Sequence, residues 1–348
     1  MVKQYYFLVI KVERTGRYTI KLSGNTGIIG SAAVGAKAEG EGPLASEFDY
    51  LYPDDGIGQD TWEKAESELH KKAVEIAIKK SGKTPDDIDI LFAGDLLNQC
   101  TGSTFGIKDM NIPFLGIYGA CSTMALSLAT ASVFVDTGAA RVAAASTSSH
   151  FCSAEKQFRF PLEYGGQRSP TAQRTATAAG CAVIEQNQPC GILVDSVLFG
   201  RVQDLGITDA NNMGAAMAPA AARTIKDYLT DTNTKPEDYD LILTGDLGVV
   251  GSKLLYELLE TRENLNIQSV HNDCGMMLFS RENQDVHAGG SGCGCAASVL
   301  CSHIFRRMRE KELTNVLFVA TGALLSSTSA LQNLTIPGIA HAVHLIYR

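Results

Sequence analysis

The sequence predicts an α/β protein built from two similar halves, and two observations carry that prediction. The segment Pro85-Asp86-Asp87-Ile88-Asp89-Ile90-Leu91-Phe92-Ala93-Gly94-Asp95-Leu96 returns without a gap as Pro236-Glu237-Asp238-Tyr239-Asp240-Leu241-Ile242-Leu243-Thr244-Gly245-Asp246-Leu247. Each copy reads as a turn, a short apolar strand and a Gly-Asp-Leu loop. The later elements pair as well: Ser122 to Asp136 is a helical stretch followed by the strand Val142 to Ala145, and Cys295 to Arg309 is another followed by Val316 to Ala320. A repeat this long exceeds the ~20 to 50 residues of a solenoid, so it implies two packed halves, each with its own sheet.

The elements follow in order. Residues 33 to 58, rich in Gly and Asp, read as a surface loop. Asp60 and Glu63 stand in capping-box relation, and Trp62, Leu69, Ala73, Ile76 and Ala77 recur on one face, which predicts a helix that Gly82 ends. Ile88 to Ala93 is then a buried strand. The polar, Pro-containing stretch Gln186 to Gly191 separates a strand ending at Ile184 from one starting at Ile192, dividing the chain into halves 1–190 and 191–348. With 348 residues, 45% of them hydrophobic and 20% charged, the chain can bury a large core.

Composition also excludes function classes. A net charge of -8 repels DNA, RNA and anionic lipid, so no nucleic-acid partner is expected. The apolar run Tyr5 to Ile10 is far short of a membrane span and no cleavage site follows it; at a membrane, another protein would have to hold the chain. Nine scattered Cys indicate a reducing, intracellular compartment. Cys293-Gly294-Cys295 has no second cysteine or histidine pair beside it, so neither a metal nor another cofactor is expected.

The segment most informative about chemistry is Ile112 to Ala125, where an apolar strand runs through Gly119-Ala120 into Cys121, Ser122 and a helix. A thiol at a helix N-terminus lies beside partly positive N–H groups, which favour thiolate and hence nucleophilic chemistry. The alternative is a small buried side chain at a tight crossing. Gly289-Gly290-Ser291-Gly292-Cys293-Gly294 precedes the matching helix of the second half; its N–H groups could cradle an anion, or its glycines could serve close packing. His271 and His287 are the imidazoles that could reach a pocket at the strand ends. Asp95 and Asp246 hold equivalent loops and either cap local turns or face each other, bridged by calcium to a dicarboxylate. Ser146 to Pro161, with Arg159 and then Arg168 and Arg174, gathers hydroxyl and guanidinium groups that either grip an acid or are solvated.

A duplicated α/β chain with a Cys heading the helix after the third strand resembles the thiolase and ketoacyl-synthase superfamily over nearly its whole length. Within it, Gly94-Asp95-Leu96-Leu97-Asn98-Gln99, Tyr118-Gly119-Ala120-Cys121-Ser122-Thr123, Thr147-Ser148-Ser149-His150-Phe151, Glu163-Tyr164-Gly165-Gly166-Gln167, Asp204-Leu205-Gly206-Ile207-Thr208-Asp209 and Ala288-Gly289-Gly290-Ser291-Gly292-Cys293 are similar to the stage V sporulation protein AD family. The resemblance implies a duplicated five-layer αβαβα fold and binding of dipicolinic acid (pyridine-2,6-dicarboxylate), with or without calcium, for uptake into the spore. It further implies a homodimer, held at the spore inner membrane by other stage V sporulation membrane proteins. The ligand site it suggests is Cys121, Ser122, Ser149, Arg159, Asp246, His271, Gly290, Ser291 and Cys293.

Departures from the catalytic superfamily are as informative. Condensing enzymes place His in the loop where this chain has Gly245-Asp246, and His or Asn in the loop where it has Gly290 to Cys293; thiolases add a Cys near the C-terminus, where this chain reads Leu334 to His341. The sporulation family often carries an aromatic at the position of His287. Binding without catalysis is therefore the leading reading. An acyltransferase or Claisen-type condensing enzyme using Cys121 with His271 or His287 is the alternative, and a scaffold with a vestigial pocket is the third.

Overall fold

A computed structural model of the chain describes residues 13–158 and 167–348. The first half contributes β1 Gly27–Gly35, β2 Ile90–Gly94, β3 Phe114–Gly116, β4 Val142–Ser149 and β5 Ala178–Glu185. The second contributes β6 Ile192–Leu198, β7 Leu241–Thr244, β8 His271–Asp273, β9 Asn315–Ala323 and β10 Gly338–Tyr347. They run in the order β3-β2-β4-β5-β1-β6-β10-β9-β7-β8, so each strand of one half has its counterpart five numbers on in the other. The pairings repeat too: β2 is parallel to β3 and β4, β7 to β8 and β9, and the β4-β5-β1 and β9-β10-β6 runs are antiparallel. The halves meet along β6, where Leu193 pairs with Gly27 of β1 and Ser196 to Leu198 pair antiparallel with the short strand Thr19–Lys21.

Period-two alternation along the strands sorts side chains into layers. The longer helices are α1 Trp62–Lys80, α2 Thr101–Ile107, α3 Thr123–Asp136, α4 Phe151–Phe158, α5 Met213–Thr232, α6 Gly248–Glu263 and α7 Cys293–Val299. Phe92 of β2 and Phe318 of β9 join Met124 and Leu128 of α3 and Ala296 and Val299 of α7 in one central core. Their neighbours Leu91 and Ala93 face Leu69 and Ala77 of α1 instead, and Leu317 and Val319 face Ile225 of α5 and Leu255 of α6. Helix, sheet, central helix pair, sheet and helix make five layers.

Three local expectations change. Thr61, not Asp60, caps α1 by accepting from Lys64 N, while Asp60 pairs with the Lys64 ammonium; Trp62, the first helical residue, is exposed. Residues 33 to 58 are not an open loop: Tyr50–Leu51 pairs with Val34–Gly35, and the buried Glu39 carboxylate accepts from Ala36 N and Thr177 N. The helix starting at Cys293 reaches Arg309 only through a π-turn over Leu300–Ile304.

Candidate functional site

β3 leads into a turn that hands Cys121 to the start of α3. Ala120 takes a left-handed backbone, φ 50°, unusual for a residue with a Cβ. Hydroxyls of the helix hold it there: Ser122 Oγ donates to Gly119 O at 2.6 Å and Thr123 Oγ1 to Ala120 O at 2.5 Å. The second half closes over the turn, since a Cβ on Gly322 would lie 2.3 Å from Gly119 O. Cys121 is left buried at the junction of the halves.

The group facing that thiol is Asp246, at the end of β7. Its fully buried carboxylate accepts from Ser291 Oγ at 3.0 Å, Gly292 N at 2.9 Å and Thr321 Oγ1 at 3.0 Å, and lies close enough to the Cys121 thiol for each to shift the other's ionisation. Burial pushes the Cys121 thiol well above its ordinary range and the adjacent carboxylate pushes it further, against the opposing pull of Ser291 and the Gly292 N–H. Burial likewise raises Asp246, which its donors oppose. The thiolate that a helix N-terminus alone would favour is thus not formed, because desolvation and a neighbouring carboxylate outweigh the dipole.

Over Cys121 lies a pocket with about 410 Å³ of empty space, mouth included. Leu96, Ala154, Phe158, Met213 and Leu325 give it apolar walls, and Tyr118, Thr175, Ser291 and the thiol supply the polar atoms. No cation is among its described wall residues.

The structure gathers Cys121, Ser122, Asp246, Gly290, Ser291, Cys293 and Ser149 around this junction, although most have internal tasks. Cys293 Sγ donates to Ser148 O at 2.9 Å, Ser149 Oγ links Ala176 O at 2.7 Å to Gly294 N at 3.2 Å, and Gly290 O accepts from Gln173 Nε2 at 2.8 Å. The glycine-rich loop accordingly spends the Gly292 and Gly294 N–H groups on the protein's own oxygens rather than offering them to an outside anion. His271 is elsewhere, on β8, with Nε2 2.9 Å from Thr244 Oγ1 and Nδ1 2.7 Å from Tyr256 OH; burial lowers it to about 4, so the ring is neutral. His287 faces Asp285 at 2.9 Å. Neither imidazole is among the pocket walls. Arg159 lies outside the described residues, Arg168 binds Asp285, and Arg174 stacks on Phe151.

Asp95 and Asp246 do not share a partner. Asp95 caps its own half, accepting from Leu97 N at 2.8 Å and Ser103 N at 2.7 Å. Beside it lies an acid that sequence reading passed over, Glu66 of α1, buried and bound to Ser148 Oγ and Ser153 Oγ; burial and the Asp95 charge raise it to about 8. Its signal in the sequence was a carboxylate one turn before His70 on the buried face of α1.

Comparison with known proteins identifies the family and the fold. The family model of stage V sporulation protein AD matches residues 16–346. Stage V sporulation protein AD of Bacillus subtilis (strain 168) is 50% identical over 311 residues, covering 89% of this chain and 91% of that protein. Among solved structures, OleA of Xanthomonas campestris superposes with a TM-score of 0.59 at 10% identity, over 94% of this chain and 99% of that one. The 3-oxoacyl-[acyl-carrier-protein] synthase III of Aquifex aeolicus VF5 does so with 0.54 at 13%, over 92% and 100%. At that identity the enzymes share the thiolase-like fold alone, whereas the sequence match extends across nearly the whole chain: the protein belongs to the stage V sporulation protein AD family.

Proposed function

We propose that this sporulation protein binds dipicolinic acid in the Cys121 pocket and supports its uptake into the developing spore, without turning over a thioester. The observation that carries the non-catalytic half is Asp246. A condensing enzyme needs a base and oxyanion donors around its Cys, and here burial, reinforced by a neighbouring carboxylate, keeps the thiol protonated, while that carboxylate consumes the donors of the loop beside it. The binding half is supported by the walls: apolar side chains suit a planar ring, and Tyr118 and Thr175 offer hydroxyls to carboxylates. Because Asp246 opposes a second negative charge, calcium entering with the ligand would favour binding.

No helix among the described residues is long and apolar enough to cross a membrane, so residence at the spore inner membrane would depend on other stage V sporulation membrane proteins. A homodimer, with the edge of β3 and its exposed Leu115 as one available surface, belongs to the same reading.

Titration calorimetry with dipicolinic acid, with and without calcium, tests the proposal, using benzoate as control and Cys121→Ala alongside. Saturable heat specific to the dicarboxylate and altered in the variant is expected. No heat, together with mass added to Cys121 by an acyl thioester, would replace binding with acyl transfer.

A further inference from the structure

A second cavity lies behind the ribbon that backs the Cys121 pocket. That ribbon pairs Arg174–Thr175 in parallel with Gly290–Ser291, and successive side chains of a strand point to opposite faces. Thr175 faces the Cys121 pocket, and Arg174 faces the second cavity, whose empty space is about 780 Å³ with the mouth counted. Lys37, Asp55 and the loop 283–286 form the other walls, with Glu41 at the rim.

The charges lining this space are incompletely paired. Asp285 is engaged by Arg168 at 3.3 Å and His287 at 2.9 Å. Arg174 lies 4.2 Å over the Phe151 ring, which fixes the guanidinium plane, yet its N–H groups meet no acceptor among the described residues. Asp55 is anchored through its backbone, His150 Nε2 lying 2.7 Å from Asp55 O, while its Oδ1 is buried without a partner among the described residues. Both charges act on one neighbour, Cys152, whose thiol burial and Asp55 push up to about 11 while Arg174 pulls it down. They border one cavity and leave each other unpaired.

A buried polar atom without a partner is costly to leave unmet, and a stacked guanidinium presents a fork that matches a carboxylate. A simple anion entering here would gain Arg174 and Lys37 but meet Asp55 and Glu41, and a simple cation would meet the reverse. A molecule carrying both charges satisfies both sets. We propose that this cavity binds a small zwitterion of the α-amino-acid class, its carboxylate on Arg174 with Lys37 beside it and its ammonium on the Asp55 carboxylate. The site is separate from the Cys121 pocket and does not depend on the ligand proposed there.

Titration of the full chain with glycine, L-serine and L-glutamine, against acetate and methylammonium, tests the assignment. Saturable millimolar or tighter binding of at least one amino acid is expected, with neither single-charge control binding in that range. Arg174→Gln and Asp55→Asn should each weaken it at least tenfold while keeping the wild-type melting temperature; if one fails to fold, the other decides. Acetate binding as tightly as the amino acids, no saturable binding of any of them, or binding indifferent to the folded variants would overturn the proposal.

Discussion

Replacing Asp246 by Asn should awaken the Cys121 thiol. The carboxylate is near enough to raise the thiol, so ionising Cys121 now places two negative charges close together in a buried space. At roughly 4 Å and an effective dielectric of 20 that repulsion is on the order of 4 kcal/mol. Asparagine is nearly isosteric and removes it, whereas burial remains and one amide N–H now confronts a donor such as Thr321 Oγ1, so only part of that energy is recovered. Removing a negative neighbour favours the charged form of a thiol, so its pKa falls and the thiolate fraction at fixed pH rises. With about 1.4 kcal/mol per tenfold change, recovery of even a third raises iodoacetamide alkylation of Cys121 about tenfold at pH 8. Peptide mapping by mass spectrometry separates Cys121 from the other cysteines, with exposed Cys190 as internal reference. An unchanged or slower rate at Cys121, in a variant that retains the wild-type fold, would show that Asp246 does not hold the thiol protonated.

Other consequences concern the frame around the pocket. Glu66 titrates near 8 in the folded chain against an ordinary 4.5, so the native state holds that proton more tightly than the unfolded one; stability should fall as pH rises through that window. Urea midpoints at pH 5 and pH 8.5 should differ more in the wild type than in Glu66→Gln. Asp231 accepts from the backbone N–H groups of Arg17, Tyr18 and Thr19, so Asp231→Ala should cost about 2 kcal/mol and expose the 13–21 hairpin to protease. A Cβ on Gly94 would lie 2.0 Å from Ile117 O, so Gly94→Ala should lower stability by about 3 kcal/mol in urea denaturation and disturb the turn carrying Cys121.

The frame was legible in the sequence because duplication writes the same turn, strand and loop twice, and apolar runs with Gly and Pro punctuation mark elements from local residues alone. Cys121 at the head of α3 was legible for the same reason. What could not be read was its chemical environment: Asp246 is 125 residues away, and Ser291 and Thr321 lie further still, so nothing local distinguishes a carboxylate that caps its own loop from one that meets a thiol of the other half. His271 illustrates the converse, since a histidine at a strand end is a fair candidate base until Thr244 and Tyr256 are seen to occupy both its nitrogens.

The equivalent aspartates show how a duplicated chain comes to treat its two helix heads differently. In the first half Asp95 spends its oxygens on Leu97 and Ser103 of its own loop and helix. In the second half Asp246 instead binds Ser291 and Gly292, the residues that precede Cys293, and reaches across to Cys121. The helix of the second half thus begins against a carboxylate already satisfied, with Cys293 turned to Ser148 O, while the first half's Cys121 keeps one side open to the pocket. Asymmetry at one carboxylate thus breaks the twofold repetition: one helix head is closed against it, the other borders the pocket, and its charge adds to burial in keeping protonated the only thiol among the described walls of that pocket.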